Sequence, residues 1–171
     1  MILECLAKST PIVIVAPTGI YREGFVPKAI RTMSDKALTE WMVSDITQGM
    51  EGTAVRAGFI KMGVSNDAIT DDEARHLRAV ARAALATGVL VSSHTSGPAS
   101  GPHALEELDI LESQGLAGDR FNWVHAQHAD IQYHRKAAER GAYIGFDGLS
   151  PEQEERYVRL VLDALDAGLE H

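Results

Sequence analysis

A single cysteine, Cys5, stands in the whole chain. That excludes an intrachain disulfide and any thiolate metal cluster, and it fits a reducing, cytoplasmic setting. Long apolar runs are missing as well. The longest, from Pro11 to Pro17, falls far short of the roughly 20 residues that a membrane-spanning helix needs. No basic stretch leads into a long apolar one at the N-terminus, so neither a signal peptide nor an anchor is expected. Basic charge is scarce: 16 Lys and Arg stand against 24 Asp and Glu, a formal charge of −8. Without a large basic surface, neither nucleic acid nor a membrane is an expected partner. The chain has no Gly-x-Gly-x-x-Gly after a strand, no Gly-x-x-x-x-Gly-Lys-Ser/Thr and no Gly-x-Ser-x-Gly. Nucleotide binding and serine hydrolysis therefore lose support. Internal repeats, low-complexity stretches and linkers are also lacking, so residues 1–171 are read as one domain.

What the chain does contain is a regular alternation. Short β-branched runs begin at Pro11, Val55, Val89, Phe121 and Ala142 and predict five strands. Amphipathic segments lie between them. Thr70-Asp-Asp-Glu73 is a capping box that opens a helix with Ala74, Leu77, Ala81 and Leu85 on its apolar face. Arg75, Arg78 and Arg82, with His76 among them, take the wet face. Ser150-Pro151 starts another helix, with proline at the first helical position, and Val158, Val161, Leu162 and Leu165 line one side of it up to Gly168. Leu38, Trp41, Met42 and Ile46 mark a helix before Gly49, Leu105, Leu108 and Leu111 another before Gly115, and a shorter one spans about Ile131 to Arg140. Strict βα alternation with strands apolar on both faces predicts an α/β fold with a parallel sheet covered by helices. An open, flavodoxin-like doubly wound sheet and a (β/α) barrel both satisfy that pattern.

In parallel α/β folds chemistry gathers at the carboxyl ends of the strands. Lys61, His94 and His125 are each the first strongly functional side chain after an apolar run, and together they are candidate ligands of a catalytic metal ion. Singly, each has a bland explanation: a snorkelling lysine or a hydrogen-bonded core histidine. All three at once require three coincidences. His128 forms His-x-x-His with His125, but on a loop that spacing does not ensure convergence. His76, His103, His134 and His171 are read as structural or solvated. Asp147 ends the fifth run and is a candidate catalytic carboxylate, or a turn cap. Tyr21 follows the first run and is a candidate substrate-binding residue, or a loop aromatic packed over the mouth of the fold.

Several of these residues lie in recognisable words: Thr18-Gly-Ile-Tyr21, Arg56-Ala-Gly-Phe-Ile-Lys61, Ala86-Thr-Gly-Val89 leading to Ser93-His-Thr95, and Arg120 five residues before His125. In these words and their spacing the sequence resembles the phosphotriesterase family of the amidohydrolase superfamily. The resemblance implies an eight-stranded (β/α) TIM barrel, of which this chain would supply about five units, similar to strands three to seven. It implies that Lys61 is carboxylated to a carbamate bridging two divalent metals, zinc being the expected ion, with His94 and His125 completing one metal's ligand set. It further implies hydrolysis of a lactone, ester or phosphotriester by metal-activated hydroxide.

The family's first-strand His-x-His pair and last-strand aspartate have no counterpart here, and Gln127 and His128 stand where relatives often carry acidic residues. The chain is therefore expected to be part of a barrel, its open edges covered by self-association or a complementing chain. A catalytically inactive fragment that binds at most one metal is the competing expectation.

Overall fold

A computed structural model describes residues 2–169 of the chain; His171 lies outside them. In chain order the elements are α1 (Ile2–Ser9), β1 (Pro17–Thr18), α2 (Lys28–Arg31), α3 (Asp35–Thr47), β2 (Phe59–Gly63), α4 (Asp71–Thr87), β3 (Val91–His94), α5 (Ser100–Ser113), β4 (Phe121–Val124), α6 (Ile131–Glu139), β5 (Tyr143–Gly145) and α7 (Glu154–Asp166). The strands form one parallel sheet in the order β1-β2-β3-β4-β5. A doubly wound sheet reverses its strand order at a switch point; this one never reverses, which is the order of a (β/α) barrel. Consecutive helices from α3 to α7 pack on one another and form a single outer layer. No helix among the described residues is long and apolar enough to cross a membrane.

The core lies between the sheet and that layer. Ile60, Met62, Val91, Phe121 and Trp123 point outward to meet Leu38, Met42, Leu77, Val80, Leu108 and Leu111, all at most 1% exposed. Each large side chain buried this way contributes about 1.5–3 kcal/mol. The alternate residues, Lys61, Ser92, His94, Asn122 and Val124, share the inner face and are half-buried apart from Ser92, which is buried. Strands apolar on both faces were expected; the inner face is instead largely polar, because it is the face where the site is built.

The capping box of α4 is present. Thr70 Oγ1 accepts from the Glu73 N–H at 3.2 Å, and Glu73 Oε2 accepts from the Thr70 N–H at 3.2 Å. Glu73 does more than cap, for it also accepts from the Ser65 N–H and hydroxyl and from the Glu23 N–H at 3.0 Å. The loop after β1 is thereby tied to the loop after β2.

Other expectations need correction. The run at Pro11 forms only a two-residue strand, and Ile12, Val13 and Val15 before it are exposed, since among the described residues no strand pairs with that stretch. Helices α1 and α2 were not anticipated. Ser150 makes no side-chain cap; a 3-10 turn, Pro151–Gln153, precedes α7. Val158, Val161, Leu162 and Leu165 are about half exposed, because α7 packs chiefly on α6 and that stripe meets no further layer. On α4, Leu85 is half exposed, whereas His76 is only 2% exposed. The small residues Ala79, Ala81, Ala83 and Ala84 let α3 and α5 close on both flanks of this helix, so its buried arc is wider than the periodicity suggests.

Candidate metal centre

Lys61 stands in the middle of β2, not at its end as its position after Gly-Phe-Ile suggested; the strand continues through Met62 and Gly63. Register pairs Lys61 with Ser92 and Gly63 with His94, so the lysine lies one layer deeper than the histidine on the same face. Burial lowers its pKa to about 8, against the opposing charges of Glu107 and Asp147. A good fraction of the amine is therefore neutral near physiological pH.

His94 ends β3. The ring of His125 packs edge-on against it, with centroids 4.3 Å apart. His125 adopts φ 70°, a left-handed conformation that costs a non-glycine residue about 1 kcal/mol or more. That backbone turn breaks β4 and begins the 3-10 turn Ala126–His128. His125 Nδ1 is 2.6 Å from Asp147 Oδ1, a carboxylate contact that leaves Nε2 as the outward ligand atom. Asp147 is itself held by the Gln127 amide at 3.0 Å, and its backbone carbonyl accepts from Gln127 and from the Tyr157 hydroxyl. Burial pushes the Asp147 carboxyl up, but hydrogen bonds from Gln127 and His125 and the nearby charges of His125 and Lys61 outweigh it, and the net shift is downward.

Nε2 of His94 lies 2.6 Å from Arg22 Nη2 and 3.1 Å from Ser96 Oγ. A guanidinium can only donate, so Nε2 is the acceptor and the ring is neutral. Burial, followed by the charges of Arg22, His125 and Lys61, lowers its pKa to about 4, with Asp147 opposing. Tyr21 packs edge-on against His94 at 5.3 Å. Gly63 permits this: a Cβ there would come within 2.8 Å of the Tyr21 ring and 3.2 Å of His94 Cβ.

The structure thus gathers His94, His125, Asp147 and Tyr21, with Lys61 close enough for its charge to act on His94 and Asp147. His128 is exposed on its turn, while His103 and His134 are buried, His134 Nε2 donating to the Ala126 carbonyl, 2.8 Å away. Among the described residues no three His, Cys, Asp or Glu side chains gather to hold a metal ion. An ammonium has no lone pair to offer. The donor set fits a divalent metal if Lys61 acts through oxygen atoms added to its amine, beside two neutral imidazoles. Sequence reasoning missed Arg22, Asn66 and Ser96, which lie in loops without periodicity; the adjacency of Arg22 to Tyr21 was the one available signal. It also missed Glu107, fully buried on α5 and hydrogen-bonded by Thr95.

Sequential parallel strands, an outer helical layer and polar residues converging on the inner face define part of a TIM barrel with its site at the carboxyl ends of the strands. The phosphotriesterase family model matches residues 1–171, and the chain belongs to that family. It is 33% identical over 167 residues to the phosphotriesterase homology protein of Escherichia coli, covering 95% of this chain and 56% of that one. It is 31% identical over 169 residues to an aryldialkylphosphatase of Saccharolobus solfataricus, covering 94% and 53%. An N-acetyltaurine hydrolase of Rattus norvegicus is 27% identical over 147 residues, covering 85% and 42%. The crystal structure of the E. coli phosphotriesterase homology protein, complexed with phosphate in its active site, superposes with a TM-score of 0.89 at 31% identity, covering 98% of this chain and 58% of that one. The chain spans about half the length of the curated relatives it matches.

Proposed function

We propose that the protein is a hydrolase of lactones, esters or phosphotriesters that works with zinc held by His94, His125 and a carboxylated Lys61. The observation that carries this reading is the 4.3 Å approach of the two imidazoles on the face that Lys61 also occupies. A bound divalent metal supplies a hydroxide nucleophile at neutral pH and polarises the oxygen of the group under attack. The protein's own residues prepare for this. The depressed pKa of Lys61 keeps neutral amine available to attack carbon dioxide, forming a C–N bond and releasing a proton, and so converts a repelling cation into an anionic oxygen ligand. Asp147 fixes the tautomer of His125 and holds its ring in place. Tyr21, 41% exposed above His94, offers its hydroxyl to the substrate.

The test is turnover of lactones and a phosphotriester by protein supplied with zinc and bicarbonate. Turnover lost in Lys61→Ala is the expected result; a zinc-loaded wild type that hydrolyses none of these substrates overturns the proposal. The unpaired outer edges of β1 and β5 and the exposed stripe on α7 favour a second reading, a non-catalytic chain that binds at most one metal and self-associates. Sedimentation combined with metal analysis separates the two.

A further inference from the structure

Arg22 has a role that the metal ligands do not explain. Its Nη2 lies 2.5 Å from Asn66 Oδ1, 2.6 Å from His94 Nε2 and 3.2 Å from Ser96 Oγ. One guanidinium nitrogen carries two hydrogens, so three acceptors over-subscribe it. If His94 turns Nε2 toward a metal, Arg22 keeps Asn66 and Ser96 and stays beside the ligand. The Tyr21 ring supports the guanidinium from another side, 5.6 Å from its central carbon. On the same edge as Nη2, Nε is buried without any hydrogen-bond partner. Among the described residues no carboxylate pairs with Arg22, and Asp147, the carboxylate beside the histidines, is already engaged by His125 and Gln127.

A tethered guanidinium with an unsatisfied N–H and no counter-charge is a half-built fork for an oxyanion. We infer that the site accepts substrates bearing an acidic group, above all a carboxylate near the scissile bond, and that Arg22 grips it. The inference rests on the hydrolase reading and narrows its substrate class. Lysine at this position would supply charge but not the planar pair of donors.

The test uses a γ-butyrolactone carrying a carboxylate on its γ carbon and the neutral isostere carrying an isopropyl group there. The wild type is expected to prefer the carboxylate in kcat/KM by at least about tenfold, Arg22→Gln to lose that preference mainly through KM, and Arg22→Lys to recover part of it. A preference that is absent in the wild type, or survives in Arg22→Gln, overturns the inference. If the wild type hydrolyses neither lactone, the hydrolase reading fails, and calorimetric titration with inorganic phosphate then decides the anion site alone. Binding weakened by about tenfold in Arg22→Gln sustains it; equal binding in both proteins overturns it.

Discussion

Replacing Glu107 with glutamine isolates one buried charge and gives a pH dependence whose sign and size follow from the structure. Glu107 is 0% exposed, accepts a hydrogen bond from the Thr95 hydroxyl and leaves Oε2 without a partner. Burial raises its pKa from 4.5 to about 8, opposed by hydrogen bonds from Ser93 and Thr95 and by the charge of Lys61, and assisted by Glu73. Below pH 4.5 the carboxyl is protonated whether the chain is folded or not, and the residue imposes no penalty. As pH rises, the unfolded chain ionises it freely while the folded chain holds the proton, so stability is lost progressively up to pH 8. Each pH unit in that window is worth about 1.4 kcal/mol, which gives roughly 3 kcal/mol by neutral pH and roughly 5 kcal/mol in all. Glutamine keeps the shape and the acceptor for Thr95 and does not titrate. Urea denaturation of both proteins across this window is expected to show similar stabilities at the acid end and an advantage for Glu107→Gln that grows with pH. Titrating groups that do not interact with Glu107 cancel in the difference. A gap that is flat with pH, or that widens toward acid, refutes the reasoning.

Three further outcomes follow from named contacts. Gly19 has φ +135°, and a Cβ there would lie 2.0 Å from the Lys61 carbonyl oxygen; Gly19→Ala is expected to destabilise the fold by more than about 2 kcal/mol in thermal unfolding. Asp147→Asn weakens the hold on His125 and is expected to lower zinc affinity by about 10- to 100-fold in competition with a chromophoric chelator, an unchanged affinity speaking against its positioning role. Thr70→Ala removes one side of the capping box and is expected to cost about 1 kcal/mol in chemical denaturation, with faster amide exchange at Glu23, whose N–H shares the Glu73 carboxylate.

Much of the architecture was legible because local chemistry announces it. The Thr70–Glu73 box and the β-branched runs leading to His94 and His125 mark element ends that the structure keeps. Periodicity records which face of an element is apolar, but not whether a neighbour exists to cover it. The stripe on α7 therefore reads as core and is found half exposed, while His76, set among arginines, is buried. Strand order was equally hidden, since the same alternation serves an open sheet or a barrel. At the site, Tyr21, His94, His125 and Asp147 were found from sequence, and Arg22, Asn66 and Ser96 were not. Asn66, His94 and Ser96 converge on one nitrogen of Arg22, and only the fold brings them together. Lys61 was identified but placed at the end of its strand, because an apolar run followed by a lysine looks the same whether the strand stops or continues.

The central claim is that His94, His125 and Lys61 form one metal site, and metal binding tests it without any substrate. Zinc is titrated into wild type and into His94→Ala, His125→Ala and Lys61→Ala, in the presence and absence of bicarbonate. The account predicts that the wild type binds zinc more tightly with bicarbonate, that each histidine variant loses that binding, and that Lys61→Ala loses the bicarbonate dependence. Zinc bound equally well by the wild type and the histidine variants, or by none of them, contradicts it.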